Sequence, residues 1–183
     1  MKRFKNKKTF VFDLDNTLVK TNRANNESYK EAIRIVTGYV LPVYTRKRFT
    51  RSDLRNYLPE LSNDDFLRIV EKKENIFGDF IETTRLNRNL FTILRALHEN
   101  GNKTILLTNC HKKRAIQLCM YYGLNLYFNE MYYYEDYQNS KYEFLFNRGY
   151  DSGSIILFEN EKKSTKEALK CGLDKRKIIK VKF

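Results

Sequence analysis

Two carboxylates spaced two apart, at the end of an apolar run, are the first chemistry this chain offers. The run is Lys8-Thr9-Phe10-Val11-Phe12, and Asp13-Leu14-Asp15-Asn16-Thr17-Leu18-Val19 follows it. An apolar, β-prone run of this kind is the pattern of a strand buried on both faces of a parallel sheet. A buried, unpaired carboxylate is costly, so two acids at such a strand's end point to a cation or a reaction. Extended backbone points residues i and i+2 to the same side, which would bring Asp13 and Asp15 together. Asn16 tolerates a positive φ and so allows a sharp turn there. Thr17 adds a hydroxyl, and Leu18 and Val19 return to the core.

Positioning these groups requires a scaffold, and the rest of the chain supplies the pattern of one. From Lys20 to about Leu86 strand-like runs are missing and helical spacing dominates. Asn26 is expected to cap a helix that runs through Thr37 and stops at Gly38, with Pro42 as a break. Thr50 or Ser52 would cap a second helix and Ser62 a third, with Asp64 and Asp65 in a first turn where negative charge suits the helix dipole. From Asn87 onward helices and strands alternate: a helix to Gly101, a strand at Thr104–Thr108, a helix at Lys112–Tyr122, and a strand within Tyr127–Tyr133. A helix at Ser140–Asn147, a strand at Ser154–Phe158, a helix at Lys162–Cys171 and a last strand at Ile178–Phe183 complete the pattern. Such alternation indicates an α/β fold, a parallel sheet covered by helices on both faces. Residues 1–19 and 87–183 would form this core, and residues 20–86 a small helical insertion after the first strand.

Composition bounds the function. The chain has 183 residues, enough for one ordinary domain with a small insertion, and a formal net charge of +13. That charge suits an anionic partner, nucleic acid included, but Lys is abundant throughout, so coding bias explains it equally well. Arg46, Lys47, Arg48, Arg51 and Arg55 form the densest basic stretch, either a contact for an extended anion or a solvated face. The three cysteines, Cys110, Cys119 and Cys171, form no Cys-x-x-Cys, which favours a reducing compartment and argues against a zinc site. With only His98 and His111 as imidazoles, a hard cation held by oxygen is easier to build. No stretch is apolar and long enough to span a bilayer, and the run after the basic Met1–Lys8 meets Asp13 too early for a signal core. The expectation is a soluble, cytoplasmic protein with no membrane partner; its oligomeric state is open.

In an open parallel sheet, ligands gather beyond the carboxyl ends of the strands. Polar groups stand at every such end: Asp13 and Asp15 after the first strand, Thr108-Asn109 after the second, Lys141 on the helix after the third, and Glu159-Asn160-Glu161 after the fourth. Phe12-Asp13-Leu14-Asp15-Asn16-Thr17-Leu18-Val19 resembles the first motif of the haloacid dehalogenase superfamily, Asp-x-Asp-x-Thr behind a hydrophobic strand. Thr108-Asn109, Lys141 and Phe158-Glu159-Asn160 resemble the second, third and fourth, so the likeness covers essentially the whole chain. It implies a Rossmann-like fold with a helical cap over residues 20–86.

The resemblance also implies a function, a magnesium-dependent phosphatase acting on a phosphorylated small molecule. Asp13 would be the nucleophile and form an aspartyl-phosphate. Asp15 would be the acid and base, Thr108, Asn109 and Lys141 would bind phosphate, and Lys141 would keep Asp13 ionised. Magnesium would lie near Asp13, the backbone carbonyl of Asp15, and Asn160 or Glu159. The fourth motif departs from the family's usual acidic pair, because Asn160 brings a carbonyl oxygen without a charge. Asn160 keeps open a degenerate relative that binds a phosphorylated ligand or nucleic acid without turnover, the basic charge keeps open a phosphatase for a nucleic-acid phosphate end, and the shared first step keeps open a mutase.

Overall fold

Thr9–Phe12 forms the first strand, β1, and all four of its residues are buried. The structure is a computed structural model that describes residues 8–41 and 47–183. After β1 come β2 (Val19–Lys20), α1 (Asn22–Thr37), α2 (Arg51–Tyr57), α3 (Asn63–Ile76) and β3 (Arg85–Leu86). Then follow α4 (Arg88–Glu99), β4 (Lys103–Leu107), α5 (Lys112–Tyr121), β5 (Glu130–Tyr132), α6 (Lys141–Asn147), β6 (Ile155–Glu159), α7 (Lys162–Lys170) and β7 (Ile178–Lys180). Five strands make one sheet in the order β5-β4-β1-β6-β7, and every neighbouring pair in it is parallel. The order reverses at β1, the switch point where a doubly wound sheet opens its ligand crevice. The expected Rossmann-like sheet is thus the observed one.

The chain divides into two compact units, Met1–Val19 with Leu86–Phe183, and Lys20–Arg85. In the sheet unit the pleat sends alternate side chains to opposite faces. On one face Val11, Ile105, Leu107 and Leu157 pack with Tyr142 and Leu145 of α6 and Ala168 of α7. The neighbouring residue Phe12 points the other way and stacks on Phe158, the rings 4.5 Å apart and nearly parallel. Strands covered on both faces need continuous apolar sequence, as β1, β4 and β6 have.

The helical unit has its own core of Tyr29, Ala32, Ile33, Leu41, Phe49, Leu54 and Ile69. Thr50 caps α2 in a capping box with Asp53, and the Ser62 hydroxyl accepts from the Asp65 N–H at the start of α3. Helix α1 corrects the sequence reading. It starts at Asn22, four residues before the expected cap. Asn26 lies inside the helix, where its amide donates to the Lys47 carbonyl and accepts from the Phe49 N–H, bracing the loop before α2. The expected end holds, since Gly38 adopts the left-handed φ of 72° that terminates a helix. Pro42 and Arg46 lie outside the described residues.

Candidate active site

The turn after β1 is built around one carbonyl. Leu14 O accepts from the N–H groups of Thr17, Leu18 and Val19, at 3.2, 3.0 and 3.0 Å. Asn16 takes a φ of 57°, the one positive φ among the described non-glycine residues. This tight turn directs the Thr17 hydroxyl back onto Asp13 Oδ2, at 2.9 Å.

Register then assembles the row. Phe12 pairs with Leu106 on one side and Phe158 on the other. One residue further on, Asp13 lies beside the ends of β4 and β6, and its N–H donates to the Phe158 carbonyl at 3.1 Å. Lys141, at the first turn of α6, reaches into this row. Its Nζ donates to Asp13 Oδ1 at 3.1 Å, to the Leu107 carbonyl at 3.3 Å and to Glu159 Oε2 at 2.9 Å. The lysine side chain is 1% exposed. A buried ammonium is tolerable only with such partners.

Lys141 draws Asp13 toward its ionised form, and burial opposes it. Burial dominates and raises the Asp13 carboxyl to about 7, because the one ammonium is shared with Glu159 and cannot offset the desolvation. Burial also pushes Glu159 upward, but Lys141, the Ser164 hydroxyl and the Glu161 N–H outweigh it and hold Glu159 below its ordinary value. Lys141 itself is held well above its ordinary value, burial being overcome by Asp13, Tyr142 and Glu159.

Glu159 needs reassignment on geometry. Its Oε1 accepts from the backbone N–H groups of Asn160 and Glu161. Its Oε2 accepts from Lys141, the Tyr142 hydroxyl and the Ser164 hydroxyl. Five donors fill the lone-pair directions of one carboxylate, so Glu159 orients Lys141 and is a poor candidate for a cation. Asn160 is the better one. Its Oδ1 lies 3.1 Å from Thr17 Oγ1, the same hydroxyl that meets Asp13 Oδ2. Two acceptor oxygens converge on one hydroxyl hydrogen. That surplus of lone pairs suits a hard cation with oxygen ligands. No group of three or more His, Cys, Asp or Glu able to hold a metal occurs among the described residues.

Asp15 is held elsewhere. Arg114, on α5, donates from Nη2 to Asp15 Oδ2 at 3.0 Å. The carboxylate thus engages α5. Thr108 is buried; its hydroxyl accepts from the Cys110 N–H at 3.1 Å. Asn109 is exposed, with Oδ1 accepting from the Tyr137 hydroxyl at 2.7 Å, and the same hydroxyl reaches the Thr108 carbonyl at 2.8 Å.

Sequence reasoning missed Arg114, Tyr137, Tyr142 and Ser164. A sheet-end register and helical spacing could have flagged Tyr142 and Ser164, near the starts of α6 and α7. Arg114 is one cation in a Lys-Lys-Arg run and carries no signal of its own. In the helical unit, Arg48 donates to the Thr21 hydroxyl at 3.0 Å. Arg55 donates to the Leu61 carbonyl and Asn63 Oδ1 and lies 4.0 Å over the Phe66 ring, so it is a brace rather than a free anion contact.

The profile of haloacid dehalogenase-like hydrolases matches residues 10–175. No curated protein sequence matches the chain. Several solved structures share the fold. A predicted phosphoglycolate phosphatase from Haemophilus somnus 129PT is 19% identical with a TM-score of 0.75, over 90% of this chain and 82% of that one. CbbY from Rhodobacter sphaeroides, in complex with phosphate, is 14% identical with a TM-score of 0.73, over 97% and 87%. A haloacid dehalogenase-like hydrolase from Streptococcus pneumoniae is 15% identical with a TM-score of 0.72, over 91% and 82%.

Proposed function

The chain belongs to the haloacid dehalogenase-like hydrolases, and from that premise we propose that it is a magnesium-dependent phosphatase working through an aspartyl-phosphate on Asp13. The substrate class is a phosphate monoester of a small molecule. One observation carries the reading: a buried aspartate at the sheet's switch point, bonded to Lys141 on one oxygen and to the Thr17 hydroxyl on the other.

Asp13 attacks phosphorus as the ester oxygen leaves, which splits one difficult displacement into two easier ones. Asp15 gives the leaving oxygen its proton and then takes one from the water that hydrolyses the intermediate. Thr108 and Asn109 orient phosphoryl oxygens at the end of β4. Lys141, kept in place by Glu159, lowers the charge repulsion between Asp13 and the incoming phosphate. Asp13, the Asp15 carbonyl and Asn160 would hold magnesium, which supplies charge neutralisation for the transferring group and favours the ionised form of Asp13. Residues 20–86 are, in this proposal, the cap that selects the leaving group and excludes water. A second reading, binding of a phosphorylated ligand without turnover, draws its support from the neutral Asn160.

The test is release of inorganic phosphate from a panel of phosphate esters, sugar phosphates and a 5′-phosphorylated oligonucleotide among them, with and without magnesium. Magnesium-dependent turnover of a small ester supports the proposal. No turnover with any ester, alongside saturable binding of one, favours the second reading.

A further inference from the structure

Arg114 is a buried cation that the mechanism above leaves without a task. Its side chain is 6% exposed and that of Asp15 18%. Nε donates to Cys110 Sγ at 2.9 Å, one helical turn earlier, while Nη2 donates to Asp15 Oδ2 at 3.0 Å. The two contacts fix the plane of the guanidinium. Cys110 anchors it to the segment just after Thr108 and Asn109, and the outer nitrogen then reaches back to the turn that follows β1. A planar fork held at one arm presents the other in a defined direction, which a flexible ammonium cannot do. Burying a guanidinium is costly and needs such partners, and an aspartate with two rotatable bonds gains a fixed orientation from the bond.

We propose that Arg114 is the positioning residue for the acid–base step, holding the Asp15 carboxylate where it can serve the reacting oxygens. This rests on the reading of Asp15 as acid and base. In the first half-reaction a bond forms between Asp13 and phosphorus, the bond from phosphorus to the ester oxygen breaks, and the proton of Asp15 goes to that oxygen. In the second, water attacks phosphorus, its proton returns to Asp15, and the bond to Asp13 breaks. Both transfers need an Asp15 oxygen within hydrogen-bond reach of one small volume. Arg114 acts in both transfers through Asp15, the carboxylate it is bonded to.

The full chain is assayed with p-nitrophenyl phosphate and magnesium; the ester's leaving group needs little proton assistance, so kcat reports on the half-reaction in which Asp15 takes the proton of the attacking water. Arg114→Met is expected to lower kcat about 10- to 100-fold, a partial loss of what acid–base catalysis supplies, with KM within about twofold. Arg114→Lys should recover part of kcat. In an Asp15→Asn background the same Arg114→Met change should cost nothing further, since an arginine with no acid to position has no catalytic work. Urea unfolding of each variant separates loss of fold from loss of function, and Arg114→Lys carries the cycle if Arg114→Met does not fold. A wild-type chain inert toward every ester removes the phosphatase reading, and this inference with it. An active wild type in which the two substitutions multiply, or in which KM alone changes, overturns the role of Arg114 and leaves the phosphatase reading standing.

Discussion

Replacing Lys141 by Met tests how the sheet-end row is held. Met is similar in length but has neither charge nor donor. The change removes an ammonium that lies 3.1 Å from Asp13 and 2.9 Å from Glu159. Asp13 and Glu159 side chains are 9% and 1% exposed, so neither can recover hydration cheaply. Asp13 is already raised to about 7. The new burden therefore falls on Glu159, held below its ordinary value in the wild type. Keeping a carboxyl of ordinary value about 4 protonated at pH 7 costs about 4 kcal/mol. Removing one partner of a buried pair costs about 3–5 kcal/mol, which agrees. The expected loss is therefore about 3–5 kcal/mol at pH 7.

The pH dependence carries the sign. In the variant one more carboxyl is protonated when folded and ionised when unfolded. Its folded value is raised, so its cost grows as pH rises above the unfolded value. The gap to wild type should narrow by about 1.4 kcal/mol per unit between pH 7 and pH 5. Urea unfolding followed by far-UV circular dichroism at pH 5, 6 and 7 measures it. A loss under about 1 kcal/mol at pH 7, or one that does not change with pH, refutes the reasoning.

Three further outcomes are expected. Asn160→Asp adds an anionic oxygen where Asn160 and Asp13 converge, and should lower the magnesium concentration for half-maximal activity about tenfold or more; an unchanged requirement removes Asn160 from the cation. Arg55→Ala should destabilise the helical unit by about 1–2 kcal/mol in thermal unfolding and leave KM unchanged, because the guanidinium braces Leu61, Asn63 and Phe66. Burial alone would raise Glu130, but Lys103 and the hydroxyls of Tyr132 and Tyr150 outweigh it and hold the carboxyl at about 2, against an ordinary 4.5. The stability this gives is complete above about pH 4.5 and lost as pH falls toward about 2, so Glu130→Gln should cost about 1–3 kcal/mol at neutral pH in urea unfolding, with the gap to wild type closing in acid.

What was legible in the sequence follows from where chemistry interrupts pattern. Asp13, Thr108 and Glu159 stood out because each ends an apolar strand, and parallel register alone then lines them up. Lys141 was legible as the first residue of a helix that follows a strand. Asn16 announced its turn, and Gly38 its helix end, through backbone preferences that few residues share. The start of α1 was not legible, because Asn25 and Ser28 are buried polar residues inside the helix and blur its apolar stripe. Arg114 was hidden by composition: among 35 lysines and arginines, one buried guanidinium looks like the rest. The pull of burial on Asp13 was not legible, because the sequence shows a nearby lysine but neither the depth of the site nor that Glu159 shares that lysine. Sharing is a property of the assembled row, and it leaves burial in control.

The central claim is that Asp13 carries the phosphoryl group, and trapping that intermediate tests it most directly. The wild-type chain is mixed with acetyl phosphate and magnesium, quenched in acid, and treated with borohydride, which reduces an acyl phosphate of aspartate to homoserine. Peptide mass spectrometry then locates the reduced residue. The account predicts conversion at position 13 in the wild type and none in Asp13→Asn. Conversion at Asp15, or turnover of acetyl phosphate that persists in a folded Asp13→Asn variant, would contradict it.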